Sequence, residues 1–303
     1  MERKKSLFDM LLEVWHMSFM KHLVLIIARL VPDKPYVKWI FKGKLGYKIN
    51  LDKPVTFNEK LNWLKLYNRQ PLYTQLADKF AVKSYVKGII GEQYVVKNLG
   101  VWESFDEIDF DSLPNSFVLK CTHDSSGAII CRDKTVFDKE SAKKRIEKTL
   151  SMNYFYACRE WPYKNIPPRI IADEFLDDYS GKELNDYKFW CFDGVPTYMY
   201  CTVKTNREGI YENFYDMNFN PVKIDHGWPR RSEEFDKPAS FEEMKKLAQT
   251  LSKGIPFVRV DFFYVDGKVY FGEFTFFDWG GMQPFGSYEQ DLELGKLIQL
   301  PKQ

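Results

Sequence analysis

The stretch from Val258 to Phe277, VRVDFFYVDGKVYFGEFTFF, constrains this chain more than any other. It is strongly apolar and aromatic, and Asp266-Gly267 near its middle is a turn signal, so it reads as a β-hairpin. Arg259, Asp261 and Glu273 interrupt the apolar run. A buried charge without a partner is costly. These three side chains therefore face water, or something between them makes the arrangement worthwhile.

Two registers are open. A two-residue Asp266-Gly267 loop pairs Val265 with Lys268 and sends Asp261 and Glu273 to opposite faces. A three-residue loop, Val265-Asp266-Gly267, puts Gly267 in the left-handed position of a bulge and pairs Tyr264 with Lys268. Arg259 then lies opposite Glu273, with Asp261 diagonal to Glu273 on the same face. This register gathers Val258, Val260, Phe262, Tyr264, Tyr270, Phe274 and Phe276 on one face, and Arg259, Asp261, Glu273 and Thr275 on the other. The sorting favours the three-residue loop. Two facing carboxylates repel unless a cation lies between them, and hard cations such as Mg²⁺ bind carboxylate oxygens and share phosphate as a further ligand. The plainer alternative is an Arg–Glu pair on a solvated sheet face, and residue types alone do not separate the two.

Composition is that of an ordinary globular protein: 303 residues, 45% hydrophobic and 28% charged. That length allows two or three domains with a sizeable core. A net charge of +2 gives no field that would point to nucleic acid. The five cysteines stand singly, without metal-ligand spacing, and read as reduced cytosolic thiols; a Cys121–Cys131 bridge is the less favoured alternative. No signal peptide is evident. Residues 7–31 are apolar nearly all round, but Asp9, Glu13, Lys21 and Arg29 keep every uncharged run well below the roughly 20 residues a span requires. They read as buried helices or, alternatively, as a surface that docks on a membrane or a membrane-bound partner.

The first third is helical, with a T-x-x-E capping box at Thr56–Glu59 opening a helix through Leu66 and a further helix over Leu76–Lys87. A strand is expected over Tyr94–Leu99. From Ser116 onward the pattern is α+β: strands over 116–120, 128–131 and 169–172, a helix over 139–152, and a hairpin of 187–192 with 195–203 across Asp193-Gly194. Ser240–Glu243 is a second capping box, leading a helix that delivers the chain into the opening hairpin.

A second constellation is Phe117-Val-Leu-Lys120 followed by CTHDSSGA. A lysine closing an apolar strand supplies a point charge, and the small-residue loop offers N–H groups and hydroxyls to phosphate oxygens. His123 is either a phosphate contact or, more simply, a loop residue without a role. Ile170 to Leu176 could present backbone groups to a purine, with Glu174 accepting from its amino group. Lys188 lies in Asp186-Tyr-Lys-Phe-Trp190, on the side away from Tyr187.

The order of these parts resembles the ATP-grasp superfamily: strand-Lys with a small-residue loop, strand-E-x-L, D-x-K, R-x-D, then E-x-T. More narrowly it is similar to the TupA-like ATP-grasp amidoligases found among capsule and cell-wall polysaccharide genes. The carrying segments are FNEKLNWLKLY (57–67), LADKFAVKSYV (76–86), FVLKCTHDSSG (117–127), REWPYKNIPPRIIADEFL (159–176), DYKFWCFDG (186–194) and FVRVDFFYVDGKVYFGEFTF (257–276).

The resemblance implies an α+β ATP-grasp fold: a helical N-terminal region over 1–115, a small lobe over 116–176 and a C-terminal lobe over 177–303. It implies that Lys120 and Lys188 contact ATP phosphates and that Ser125, Ser126 and Gly127 form the phosphate loop. Glu174 and Leu176 would line the adenine hinge and Asp186 would reach the ribose. Asp261 and Glu273 would hold Mg²⁺, with Thr275 where many relatives have Asn, and Arg259 would stabilise the transferring phosphate. Phe277–Gly281 would be an acceptor-binding turn, with Arg159 and Trp161 bordering the substrate or packing between lobes. The implied reaction is amide formation between a carboxylate and an amine, of small-molecule or saccharide origin, in polysaccharide synthesis. A sugar phosphotransferase, a nucleotide-sugar glycosyltransferase and a scaffold remain as alternatives.

Overall fold

The computed structural model describes residues 29–125, 127–177, 184–205 and 209–302. Four helices come first: α1 (Asp33–Leu45), α2 (Phe57–Tyr67), α3 (Pro71–Ala77) and α4 (Ala81–Ile90). The capping box predicted for α2 forms. Thr56 Oγ1 accepts from the Glu59 N–H at 3.1 Å, and the Thr56 N–H donates to Glu59 Oε2 at 3.3 Å. The single helix expected over Leu76–Lys87 is instead broken. Asp78 Oδ1 accepts from the N–H groups of Phe80 and Ala81 and starts α4 afresh.

A four-stranded antiparallel sheet follows, built from β1 (Asn98–Trp102), β2 (Phe117–Cys121), β3 (Ile129–Cys131) and β4 (Ile170–Glu174) in the order β1-β4-β2-β3. Helix α5 (Lys139–Leu150) lays Ala142 and Ile146 on Phe117, Leu119 and Ile170 to form its core. The strand expected over Tyr94–Leu99 begins only at Asn98. Glu92–Tyr94 is a single 3₁₀ turn, and the chain reaches β4 where the Glu174 N–H donates to the Lys97 carbonyl. A one-turn helix, α6 (Phe155–Cys158), precedes β4.

The second sheet is six-stranded and antiparallel, in the order β10-β9-β5-β6-β7-β8. Its strands are β5 (Asp186–Phe192), β6 (Val195–Thr205), β7 (Gly209–Asp216), β8 (Pro221–Val222), β9 (Phe257–Val265) and β10 (Lys268–Thr275). Helix α7 (Phe241–Ser252) covers one face, its Phe241 ring 5.8 Å from Phe189. The second predicted capping box does not form. Ser240 sits at ψ 10°, outside the extended geometry an N-cap uses, and its hydroxyl is buried without a partner among the described residues. Helix α8 (Tyr288–Leu297) packs back on α2, where Lys60 donates to the carbonyls of Gly295 and Ile298, both at 2.8 Å. All five cysteines are free thiols, Cys121 and Cys131 included. Among the described residues, no helix is long and apolar enough to cross a membrane. The proposed docking segment, residues 7–31, lies almost wholly outside the described residues.

Candidate active site

The β9–β10 hairpin corrects the expected register and keeps its consequence. Val265 pairs with Lys268 across a two-residue loop, with Asp266 and Gly267 at φ 49° and 76°. Positive φ at both positions is the I′ geometry that Asp-Gly favours. Tyr270 therefore lies opposite Phe263, on the face of the charged residues rather than the apolar one. Between Phe271 and Phe274 the register then shifts by one, because Gly272 and Glu273 together oppose Asp261. This bulge returns Glu273 and Thr275 to the face of Arg259 and Asp261, and Thr275 pairs with Arg259. The inner position of the bulge is tight: a Cβ on Gly272 would lie 3.1 Å from the Asp261 carbonyl oxygen and 3.3 Å from its Cβ, so the neighbour would have to give by a few tenths of an ångström.

Arg259 is the hub. Its Nε and Nη2 donate to the two oxygens of Asp261 at 2.8 and 2.7 Å, and Nη2 also reaches Glu273 Oε1 at 2.8 Å. Nη1 donates to Asp278 Oδ1 at 2.5 Å and to the Tyr200 hydroxyl at 3.2 Å. Burial opposes its charge, but Asp261, Tyr200 and Asp278 outweigh it and hold the guanidinium well above its ordinary pKa. Burial lifts Asp261 to about 7; Arg259 opposes this while nearby Asp186 adds to it. Thr275 Oγ1 donates to Glu273 Oε1 at 3.2 Å and so orients the carboxylate.

Asp278, which sequence reasoning placed only inside an acceptor turn, is the buried anchor of this hub. It accepts from Trp190 Nε1 at 2.8 Å and Tyr200 Oη at 3.2 Å as well as from Arg259. Burial would raise its pKa; Arg259 chiefly drives it below the ordinary value. The turn carrying it, Asp278–Gly281, has Gly280 and Gly281 at φ 67° and 65°, where a side chain would be strained. It is held from α2. Lys65 donates to the Gly280 carbonyl at 2.5 Å, Asn62 to the Gly281 carbonyl at 2.6 Å and Asn58 to the Gln283 carbonyl at 2.9 Å. Asn58, Asn62 and Lys65 share one helical face, which only their spacing in FNEKLNWLKLY could have suggested.

The predicted residues fall into two clefts that meet at the end of β4. The smaller, about 250 Å³, brings Lys120, Ser125 and Gly127 together with Asp186, Asp261 and Glu273. Asp173, Lys79 and Lys83 line it as well, none of them singled out from sequence. Asp173 is buried and takes Lys83 and Lys120, each at 3.1 Å. Asp186 Oδ2 pairs with Lys188, while its Oδ1 is buried with no partner among the described residues. Burial alone would lower the Lys188 pKa, but Asp186 and Asp261 outweigh it and raise it. Lys188 itself does not line either cleft. The larger cleft, about 430 Å³, is lined by Glu174, Leu176, Asp177, Arg132, Lys268 and Tyr270, among others. Consecutive residues of β4 thus face one cleft each, Asp173 the smaller and Glu174 the larger.

Ser126 lies outside the described residues. His123 is turned away from the loop, its Nε2 within 3.2 and 3.1 Å of the carbonyls of Thr149 and Met152. Arg159 is a packing residue. It is ion-paired with Asp33 at 3.0 Å and stacked 3.9 Å from the Tyr36 ring.

Two sheets with clefts at their junction, entered by a strand lysine and a small-residue loop on one side and an acidic hairpin on the other, are the arrangement of the ATP-grasp fold. The family model for TupA-like ATPgrasp matches residues 59–299. The chain belongs to the TupA-like ATP-grasp family. Solved structures similar to it include D-alanine–D-alanine ligase from Bacillus anthracis complexed with ATP, at 16% identity and TM-score 0.39, covering 66% of this chain and 54% of that one. Others are the ATP-grasp ligase PsnB with its minimal precursor, at 12% identity and TM-score 0.39 (72% and 59%), and N5-carboxyaminoimidazole ribonucleotide synthetase from Thermus thermophilus, at 10% and 0.36 (66% and 45%). The chain spans about half to three-fifths of the length of these proteins. No curated protein matches it.

Proposed function

We propose that the protein is an ATP- and Mg²⁺-dependent ligase that joins a carboxylate to an amine through an acyl phosphate. The carboxylate would belong to a uronic acid or amino acid used in capsule or cell-wall polysaccharide synthesis. The protein would work in the cytoplasm, with residues 7–31 meeting the inner membrane face or its synthetic machinery. The observation that carries this reading is the convergence of Lys120, Ser125 and Gly127 from one sheet with Asp186, Asp261 and Glu273 from the other on one cleft.

Among the described residues no three acidic, histidine or cysteine side chains already converge as a metal site, so the support for a hard cation is the placement of carboxylates at the cleft. Asp186 Oδ1 is a buried carboxylate oxygen without a partner among the described residues, and Asp261 and Glu273 converge on one guanidinium beside the cleft. Mg²⁺ held by Asp261 and Glu273, with Thr275 alongside, would neutralise phosphate charge. Lys120 and Lys188 would pair with phosphate oxygens, and Ser125, Ser126 and Gly127 would cradle them. Glu174 and Leu176 would line the adenine in the larger cleft, and Asp186 would meet the ribose. Arg259, fixed by Asp278, would stabilise charge on the transferring group. A carboxylate oxygen would attack the γ-phosphorus as the bond to ADP breaks. The amine would then attack the acyl carbon, expelling phosphate and losing a proton.

The test is ADP release with candidate carboxylates in the presence of hydroxylamine. Carboxylate-dependent ADP together with a hydroxamate product supports the ligase. A stable phosphate ester instead identifies a phosphotransferase, and turnover of a nucleotide sugar with ATP unchanged identifies a glycosyltransferase.

A further inference from the structure

Helix α1 buries one face and leaves the other with a single sign of charge. Tyr36, Val37, Ile40 and Phe41 enter the core. The opposite face carries Lys34, Lys38 and Lys42 at four-residue spacing, all exposed, so their ammonium groups form one row along the helix. Lys38 and Lys42 make no hydrogen bond or ion pair among the described residues, and the Lys34 amine lies 5.8 Å from the Tyr67 ring. Asp33 is the only acid in α1, and it is taken up by Arg69 at 2.6 Å and Arg159 at 3.0 Å. Trp39 sits beside the lysine row and is 53% exposed, and Leu30, just ahead of the helix, is 78% exposed. A solvated helix face ordinarily mixes both signs and hides its large rings. The sequence leading into this face is the apolar segment 7–31, which ends two residues before α1 begins.

Resting on the membrane contact proposed above for residues 7–31, we propose that the Lys34–Lys38–Lys42 face of α1, together with Trp39, is a docking surface for an anionic lipid bilayer. The charge is complementary to lipid phosphates, and no acid of α1 opposes it. Long lysine stems keep their ammonium groups among the headgroups while an indole ring settles at the boundary with the acyl chains. A weakly apolar segment alone binds a bilayer reversibly, and a basic patch beside it is the second signal that makes attachment stable. Each lysine held near an anionic surface adds about fivefold in affinity, so the row of three contributes about a hundredfold.

The experiment is cosedimentation of the full chain with vesicles containing phosphatidylglycerol, and separately with vesicles of phosphatidylcholine alone, at low and high salt. The proteins are wild type, a triple variant with Lys34→Gln, Lys38→Gln and Lys42→Gln, and the corresponding triple Lys→Arg variant. Wild type is expected to prefer the anionic vesicles and to lose that preference at high salt. The Gln variant should bind anionic vesicles about a hundredfold more weakly with little change on neutral ones, and the Arg variant should bind as wild type does. All three positions are exposed, so an unchanged thermal midpoint is expected and reports an intact fold. Equal binding of anionic vesicles by wild type and the Gln variant, or equal affinity of wild type for both vesicles, would overturn the assignment of α1 and leave residues 7–31 as the membrane contact. Binding of neither vesicle by wild type would overturn both, and would leave the ligase reading standing.

Discussion

Replacing Asp278 with Asn tests whether the arginine hub depends on its buried anchor. The carboxylate is 1% exposed and takes three donors: Arg259 Nη1, Trp190 Nε1 and Tyr200 Oη. Asparagine keeps one acceptor oxygen, enough for the indole, but presents an NH₂ group where an acceptor is needed and removes a charge. Breaking a buried pair by removing one partner costs about 3–5 kcal/mol. Because the amide retains one bond, the loss should fall near the lower end, about 3 kcal/mol. At about 2–4 °C per kcal/mol, the thermal midpoint should drop by about 6–12 °C. Arg259 would still hold Asp261 and Glu273 but would lose its fixed orientation, so ADP release should fall more steeply than ADP affinity. Differential scanning calorimetry of the variant beside wild type reads the first effect. A destabilisation below about 1 kcal/mol would refute the reasoning, since it would mean that Asp278 is not the counter-charge on which the guanidinium is built.

Three further outcomes follow from the same geometry. Burial lifts the Glu160 carboxyl from 4.5 to about 7 although Lys65 opposes the shift, so the folded chain keeps a proton that the unfolded chain loses across that window. Stability should therefore fall as pH rises from 4.5 towards neutrality, and Glu160→Gln should flatten that slope in urea titrations across the window. Gly272→Ala should push Asp261 out of place, costing about 1–3 kcal/mol and weakening Mg²⁺-dependent nucleotide binding by calorimetry, whereas Gly267→Asn should be tolerated. Lys65→Met removes the donor to the Gly280 carbonyl and should lower the thermal midpoint, with kcat reduced more than KM.

Much of the two sheets was legible because their strands carry strong period-two patterns and turn signals. The Asp193-Gly194 hairpin and the capping box at Thr56 needed nothing beyond neighbours in sequence. The register of β9–β10 shows where that stops. Asp266-Gly267 is a good two-residue turn, and the correct grouping of Arg259, Asp261 and Glu273 needed a second irregularity further along. Gly272 inside the strand was its only sequence trace. Two one-residue shifts restore the side-chain face, so the grouping came out right while the turn and the side of Tyr270 came out wrong. Asp278, Lys65 and Asn62 were not legible. Their roles come from contacts between distant segments, α2 against the Asp278 turn. A lysine in a helix reads as solvated until the partner carbonyl is known. The short β8 and the divided helix at Asp78 were missed for a related reason, since side-chain capping and edge pairing leave weak periodic signals.

The most direct measurement is calorimetric titration of AMPPNP into wild type and Glu273→Gln, each with and without Mg²⁺. Wild type should bind tightly only when the metal is present, and the variant should lose that metal dependence while remaining folded. Metal-independent binding of equal strength in both proteins, or none in either, would contradict a metal-bridged nucleotide site between Lys120 and the Asp261–Glu273 pair.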